Sequence, residues 1–166
     1  MKVLGLDLSM TSAGWALLHD GQLGRSGTVK TAPPADRFAR INAILAAVKT
    51  LVQEDVDLVA IEGYSYQSAT SAVTAGELGG VVRYWLFLRR IPYVELPPGT
   101  WRKIAFGKGN LKKDEVRLQA SKRYGVEIES IDALEAWAVA MAAWLRHTGQ
   151  DMPAIQRGAA AFVAQA

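Results

Sequence analysis

The chain contains no cysteine, and this absence excludes disulfide bonds and cysteine-ligated zinc. Histidine is almost as scarce, because His19 and His147 are the only two and lie too far apart to build a metal site without acids. No apolar run reaches the length of a membrane span. The first residues follow a strand pattern with a charge inside it, which is not typical of a signal peptide. We therefore expect a cytoplasmic protein without a membrane segment.

The basic residues are unevenly distributed along a chain of 166 residues, which is the length of one domain. The net charge is only +3, although the sequence pI is about 9.3. One stretch collects Arg102, Lys103, Lys108, Lys112, Lys113, Arg117, Lys122 and Arg123. This clustering indicates a surface that binds a phosphate backbone. The alternative interpretation is a solvated helix face.

The first third of the chain predicts three antiparallel strands, over residues 2–8, 14–19 and 23–30. Asp20 and Gly21 form the turn between the second and the third, since both residue types tolerate positive φ. Asp36 then caps a helix whose apolar positions recur at helical spacing. These positions are Phe38, Ile41, Leu45, Val48 and Val52.

The rest of the chain predicts two further strands and four helices. The strands cover residues 56–62 and 92–96, and the helices cover residues 69–90, 99–105, 114–124 and 130–146. A strand–helix–strand crossover favours parallel pairing of the fourth strand with the first. The predicted fold is therefore an α/β domain over residues 1–148, with a five-stranded mixed sheet of three antiparallel and two parallel strands flanked by helices. Residues 149–166 are expected to form a frayed helix or a disordered tail.

Four acidic residues stand out from these elements. Asp7 and Glu62 each end an apolar strand, and a carboxylate there is costly unless it is paired or binds a metal. Asp132 and Glu135 lie three apart at the start of the last helix, so they share one face. Small residues at Ala133, Ala136, Ala140 and Ala143 would let that helix lie close to the sheet. Converging carboxylates of this kind predict a divalent cation site.

Each acidic motif also has a simpler interpretation. Acids in the first turn of a helix complement its dipole, which alone would account for Asp132 and Glu135. The segment from Gly5 to Gly14 also resembles a phosphate loop of actin-like ATPases, but that fold needs a second such loop and a much longer chain. The four acids taken together favour the metal site.

The complete pattern resembles the RuvC-like Holliday junction resolvases, in the compact form found in bacteriophages and prophages, within the ribonuclease H-like superfamily. The likeness runs from Met1 to about Arg146. It rests on the first strand with its hairpin, on Ile61-Glu62, on the Gly107-Lys-Gly-Asn loop followed by Lys113, and on Asp132-x-x-Glu135 with its alanines.

The resemblance implies an endonuclease that hydrolyses phosphodiesters with two magnesium ions, or manganese as a substitute, bound by Asp7, Glu62, Asp132 and Glu135. The fourth acid is commonly Asp in the family, and the Glu found here reaches one methylene further. An alternative frame uses Glu129 with Asp132, but it breaks the alanine spacing. Lys113 matches a basic residue near the scissile phosphate.

The resemblance also implies contacts to DNA. Arg102 or Lys103 matches a second basic position, and Lys108 and Lys112 are expected to contact flanking phosphates. The family often carries an aromatic residue in a loop that probes the junction centre. Tyr64 and Tyr66 are the candidates here, and ordinary packing at a strand end is the alternative for both.

The expected activity is cleavage of four-way DNA junctions in paired strands by a homodimer. The predicted interface is the helix near Gly76 to Leu88, with Val81, Val82, Trp85 and Leu86 as its apolar surface; the alternative is that these residues belong to the core. Two other activities stay open. One is a ribonuclease H-like nuclease acting on flaps, other branched DNA or RNA–DNA hybrids, and the other is junction binding without cleavage.

Overall fold

A mixed sheet of five strands organises the molecule. The computed structural model describes residues 1–33, 36–63 and 69–150. The strands are β1 (Lys2–Asp7), β2 (Ser12–His19), β3 (Gln22–Lys30), β4 (Leu58–Glu62) and β5 (Tyr93–Leu96). Their spatial order is β3-β2-β1-β4-β5, in which β1, β2 and β3 pair antiparallel while β4 and β5 run parallel to β1. The predicted fold class is confirmed.

The β2–β3 connection is the predicted two-residue hairpin turn. Asp20 and Gly21 both have positive φ, 47° and 79°, and His19 pairs with Gln22 across the turn. Positive φ at both central positions is the geometry that matches the twist of antiparallel strands. A Cβ at Gly21 would also lie 2.8 Å from the Trp144 ring, so glycine is required there for space as well.

Helix α1 (Arg37–Val52) connects β3 to β4 and begins at the predicted cap, where Asp36 Oδ1 accepts a hydrogen bond of 2.9 Å from the Phe38 amide. The predicted apolar face is partly wrong. Phe38 is 72% exposed, and the residues buried on α1 are Ile41, Ile44, Val48 and Leu51.

Helix α2 (Ala69–Leu88) continues through its glycines. Two residues predicted for a subunit interface, Val82 and Leu86, are wholly buried in the core with α1, so the interpretation of these two as surface is wrong. The exposed apolar residues lie on the opposite face of α2, at Val73, Val81, Tyr84, Phe87 and Leu88. A Cβ at Gly76 or Gly80 would meet no other atom within 4 Å, so the surface beside both glycines is open.

Helices α3 (Pro98–Phe106), α4 (Lys113–Tyr124) and α5 (Ile131–Thr148) cover the other face of the sheet. Ser130 caps α5 as predicted, and Gly149 ends it. Helix α5 lies directly against the strands because Gly5 and Gly14 have no side chains; a Cβ at Gly5 would be 2.8 Å from that of Ala140, and one at Gly14 would collide with the backbone of Asp132. This close approach brings the start of α5 to the strand ends.

Two further observations complete the fold. Within residues 1–33, 36–63 and 69–150, no helix combines the length and apolar character that a membrane crossing needs. The predicted tail lies outside the described residues from 151 onward.

Candidate active site

The strand register brings Asp7 and Glu62 side by side. Leu6 pairs with Ile61 in the parallel β1–β4 ladder, so the next residue on each strand is an acid. Alternate residues of a strand share a face. Asp7 therefore lies on the face of Val3 and Gly5, which packs against α5, and Glu62 lies on the same face through Ala60.

These two carboxyl groups lie within interaction distance of each other, so each affects the pKa of the other. Burial raises the pKa of Asp7 well above its ordinary value, and the charge of Glu62 raises it further. Burial also raises the pKa of Glu62, although its hydrogen bonds with Asp7 and Trp101 oppose the rise. Two buried carboxyl groups this close together do not readily both ionise, and a cation bound between them would relieve their repulsion.

Asp132 and Glu135 come to the same place from the first turn of α5. Ser12 on β2 donates a hydrogen bond of 2.6 Å to Asp132 Oδ2. Glu135 is only 3% exposed, and its two oxygens bind two cations: Arg102 Nη2 at 3.1 Å and Lys113 Nζ at 3.0 Å. The interpretation of these acids as an exposed helix end does not fit so buried a glutamate. Glu129, the alternative ligand, is exposed before the cap.

The four acids form one electrostatic cluster. The negative charges of Glu135 and Asp132 also raise the pKa of Asp7, at the far side of the group. The donors are all carboxylate oxygens, which is the chemistry that Mg²⁺ and other hard divalent cations require. Among the described residues, no three acidic or histidine side chains lie close enough to hold one ion together. Glu135 is instead ion-paired with Arg102 and Lys113, and the donor set fits a hard divalent cation by its chemistry.

Two residues that contact the acids were not predicted from the sequence. Ser12 lies five residues after Asp7 and reaches Asp132 only because the β1–β2 hairpin folds back beneath α5. Trp101 on α3 donates from Nε1 to Glu62 Oε1 at 3.0 Å. An alternating strand pattern gives a signal for Ser12, which lies on the face of Gly14 and Ala16. Nothing in the sequence indicates Trp101, because its contact depends on how α3 packs over β4.

Comparison with known proteins identifies the family. A family model of the crossover junction endodeoxyribonuclease RuvC matches residues 3–143. The chain belongs to the RuvC family. The crossover junction endodeoxyribonuclease RuvC of Carboxydothermus hydrogenoformans is 28% identical over 156 residues, which cover 90% of this chain and 99% of that protein.

Solved structures agree with this assignment. The RuvC structure from Thermus thermophilus is 25% identical with a TM-score of 0.76, over 90% of this chain and 97% of that one. The structure of T. thermophilus RuvC in complex with Holliday junction substrate is 23% identical with the same TM-score, over 90% and 96% of the two chains. The second likeness supports the RuvC fold of this chain.

The predicted basic surface divides into residues that contact the acids and residues that face solvent. Burial opposes a charged Lys113, yet its hydrogen bond with Glu135 and the charges of Glu135, Asp7 and Asp132 raise its pKa. Arg102 is largely buried, with its side chain 18% exposed. Lys103, Lys108 and Lys112 are exposed, and Lys108 lies 3.9 Å from Glu115.

Arg117 does not belong to a free phosphate-binding surface. Its guanidinium donates to the carbonyls of Ile128 and Glu129, at 2.7 and 2.9 Å. It thereby joins α4 to the segment that leads into Ser130 and α5. Its place in the sequence among lysines gave no signal of this role.

An open cleft of about 370 Å³ borders the strand acids on the side of α2. It is lined by the β1–β2 connection, by the end of β4 and by α2, through Asp7, Leu8, Ser9, Met10, Thr11, Ile61, Glu62, Gly63, Thr74, Ala75, Gly79 and Arg83. Tyr64 and Tyr66, the candidate junction probes, lie outside the described residues. Asp7 and Glu62 thus lie at the wall of an open cleft.

Proposed function

We propose that this chain is a metal-dependent, structure-selective endonuclease that resolves four-way DNA junctions by hydrolysing phosphodiesters in paired strands. One observation carries the proposal: in a member of the RuvC family, four carboxylates from β1, β4 and α5 interact electrostatically at the end of the sheet, beside an open cleft. Residues 1–148 would form the cytoplasmic nuclease domain, and residues 149–166 a tail. A bacteriophage or prophage origin stays a prediction.

We infer that Asp7, Glu62, Asp132 and Glu135 would hold two magnesium ions, with manganese as a substitute. Four carboxylates offset the charge of two such ions, and their oxygens are the ligands that magnesium prefers. When bound, the ions would supply Lewis acidity at the phosphate and a water of lowered pKa. The burial and proximity of Asp7 and Glu62 support this assignment, because a cation between them would relieve their repulsion.

Some of the basic residues would act in catalysis, and the others would bind DNA. Lys113, whose ammonium already lies beside the acids, would stabilise the charge that grows on the phosphate in the transition state. Arg102 would act at the same phosphate after leaving Glu135. Lys103, Lys108 and Lys112 would contact flanking phosphates and release counterions. Tyr64 and Tyr66 remain the proposed probes of the junction centre.

A homodimer would place two such sites on opposed strands of one junction. The exposed face of α2 supports this assembly, because Tyr84, Phe87 and Leu88 are 64%, 68% and 56% exposed. Large apolar side chains grouped on one helix are typical of an interface. The open surface at Gly76 and Gly80 would allow a second copy to approach closely.

A cleavage panel tests the activity. Four-way junctions, flaps, RNA–DNA hybrids and linear duplex are incubated with the protein and magnesium. We expect paired cuts in the junction, none in excess chelator, and binding without turnover in calcium, because calcium takes more ligands at longer distances. Faster cleavage of flaps or hybrids would favour the alternative nuclease, and junction binding without any cleavage would favour a binding module.

The assembly has its own test. Phe87→Glu puts a charge on the exposed face of α2 and should turn the dimer into a monomer in light scattering. Leu118→Glu is the matched control, since Leu118 is exposed on α4, away from that face. A wild-type protein that stays monomeric on junction DNA would contradict the dimer.

A further inference from the structure

The end of β4 brings a tryptophan over one of the acids. Glu62 pairs with Leu96 on β5, and the Gly63 amide extends the ladder with a hydrogen bond of 2.9 Å to the Leu96 carbonyl. Pro97 and Pro98 then turn the chain into α3. A Cβ at Gly63 would lie 3.1 Å from the Pro97 nitrogen, so glycine permits this close packing. Trp101, in the first turn of α3, is thereby held above Glu62.

The indole of Trp101 has one polar atom, and that atom is committed to Glu62. Trp101 is wholly buried, and its Nε1 donates to Glu62 Oε1 at 3.0 Å. The ring is fixed on two further sides: the Arg102 guanidinium lies 4.6 Å from its centroid, and the Phe106 ring meets it edge-on at 6.4 Å. A donor on so constrained a ring holds the carboxylate oxygen in one position.

A second tryptophan shows that packing alone does not call for this hydrogen bond. Trp137 is equally buried and contacts the same Phe106 ring at 6.4 Å, and Tyr124 at 5.3 Å. Its Nε1 has no hydrogen-bond partner among the described residues. The core thus tolerates an indole for its shape, whereas the N–H of Trp101 serves an acid.

We propose that Trp101 is a positioning residue that fixes the orientation of the Glu62 carboxylate for the divalent cation. The inference rests on the proposed function. A hydrogen bond to a ligating carboxylate keeps that carboxylate from rotating, and loss of such a bond typically lowers metal affinity or activity about 10–100-fold. Because Arg102 binds both the Trp101 ring and Glu135, the same turn of α3 holds acids from β4 and α5.

The test compares Trp101→Phe with Trp137→Phe. Both changes shorten a buried ring, but only the first removes a hydrogen bond. Calcium binding is measured by calorimetry, junction affinity in chelator, and single-turnover cleavage in limiting magnesium. We expect Trp101→Phe to weaken calcium binding and slow cleavage by about 10-fold or more, with unchanged junction affinity. Trp137→Phe should match the wild type in all three measurements while losing comparable thermal stability.

Indole N–H signals of the wild type give a second measurement if Trp101→Phe does not fold. Saturating calcium should shift the Trp101 signal and leave that of Trp137 in place. Equal behaviour of the two variants, or a Trp101 signal unmoved by calcium, would overturn the role of Trp101 alone. A wild type that binds no divalent cation would overturn the metal site and this inference together.

Discussion

The two strand acids and the two helix acids have opposite surroundings. Asp7 and Glu62 lie side by side at the ends of neighbouring parallel strands, and burial raises the pKa of both. Asp132 accepts a hydrogen bond from Ser12, and Glu135 forms ion pairs with Arg102 and Lys113. The strand pair is short of positive charge, whereas Glu135 of the helix pair already binds two cationic side chains.

This difference shows where a cation would change the molecule most. Between Asp7 and Glu62 it would relieve the repulsion of two buried carboxylates, where charge is costly. At Glu135 the cation would compete with the Arg102 guanidinium and the Lys113 ammonium, which already neutralise the carboxylate. Metal loading and the release of Arg102 and Lys113 towards a phosphate are therefore expected to go together.

The largest effect on cleavage is expected from Asp7→Asn, which removes one carboxylate of the strand pair. Loss of a metal ligand removes several kcal/mol of transition-state stabilisation, which corresponds to about a thousandfold or more in rate. Single-turnover cleavage of a four-way junction should become almost undetectable while junction binding persists. Glu62→Gln and Asp132→Asn should behave alike. Near wild-type turnover in any of the three would contradict the assignment.

Lys113→Ala should slow the chemical step by roughly 10²–10³-fold, the size expected for the loss of one group that stabilises transition-state charge. The dissociation constant for the junction should hardly change, because the ammonium acts beside the acids rather than along the DNA backbone. Cleavage by the saturated variant at the wild-type rate would instead make Lys113 an ordinary surface lysine.

The strand pair should make the metal-free protein sensitive to pH. The pKa of Asp7 is higher folded than unfolded, so its contribution to stability is complete below the unfolded value near 3.8 and is lost as pH rises through the folded pKa. In chelator, Asp7→Asn should therefore have a higher melting temperature than the wild type at neutral pH. The difference between the two melting temperatures should become smaller in acid. Each kcal/mol corresponds to about 2–4 °C in calorimetry for a chain of this size. A difference in melting temperature that widens in acid would contradict the raised pKa of Asp7.

The smallest effect is expected at the exposed lysines. Lys108→Ala and Lys112→Ala should each weaken junction binding uniformly and reduce the salt slope by about 1. Their rates at saturation should match the wild type, in contrast to Lys113→Ala. A salt slope unchanged in both variants would remove them from the DNA surface.

The sequence predicted the sheet and the acids because both depend on local patterns. Alternation and turn residues gave the five strands, and the position of Asp7 and Glu62 at strand ends followed from the same patterns. The spacing of Asp132 and Glu135 gave a shared helix face. The buried faces of the helices were harder to predict, since the exposure of Phe38, Val82 and Leu86 depends on which element packs against them.

Partners from distant elements could not be predicted. Ser12, Trp101 and Arg102 reach the acids through the packing of α5 and α3 on the sheet, and no spacing along the chain encodes that packing. Arg117 is a basic residue whose role also depends on packing that the sequence does not reveal. The nearest lysines in the sequence, Lys113 and Lys122, are exposed, but the Arg117 guanidinium donates to backbone carbonyls of the molecule itself.

The most direct test of the account is a manganese titration of the wild type, Asp7→Asn and Glu135→Gln by calorimetry. The central claim is that the strand pair and the helix pair form one metal site, so a change on either element should weaken manganese binding. We expect two ions per wild-type chain and markedly weaker binding in both variants. Wild-type manganese binding by Glu135→Gln would contradict the claim, because α5 would then have no part in the site.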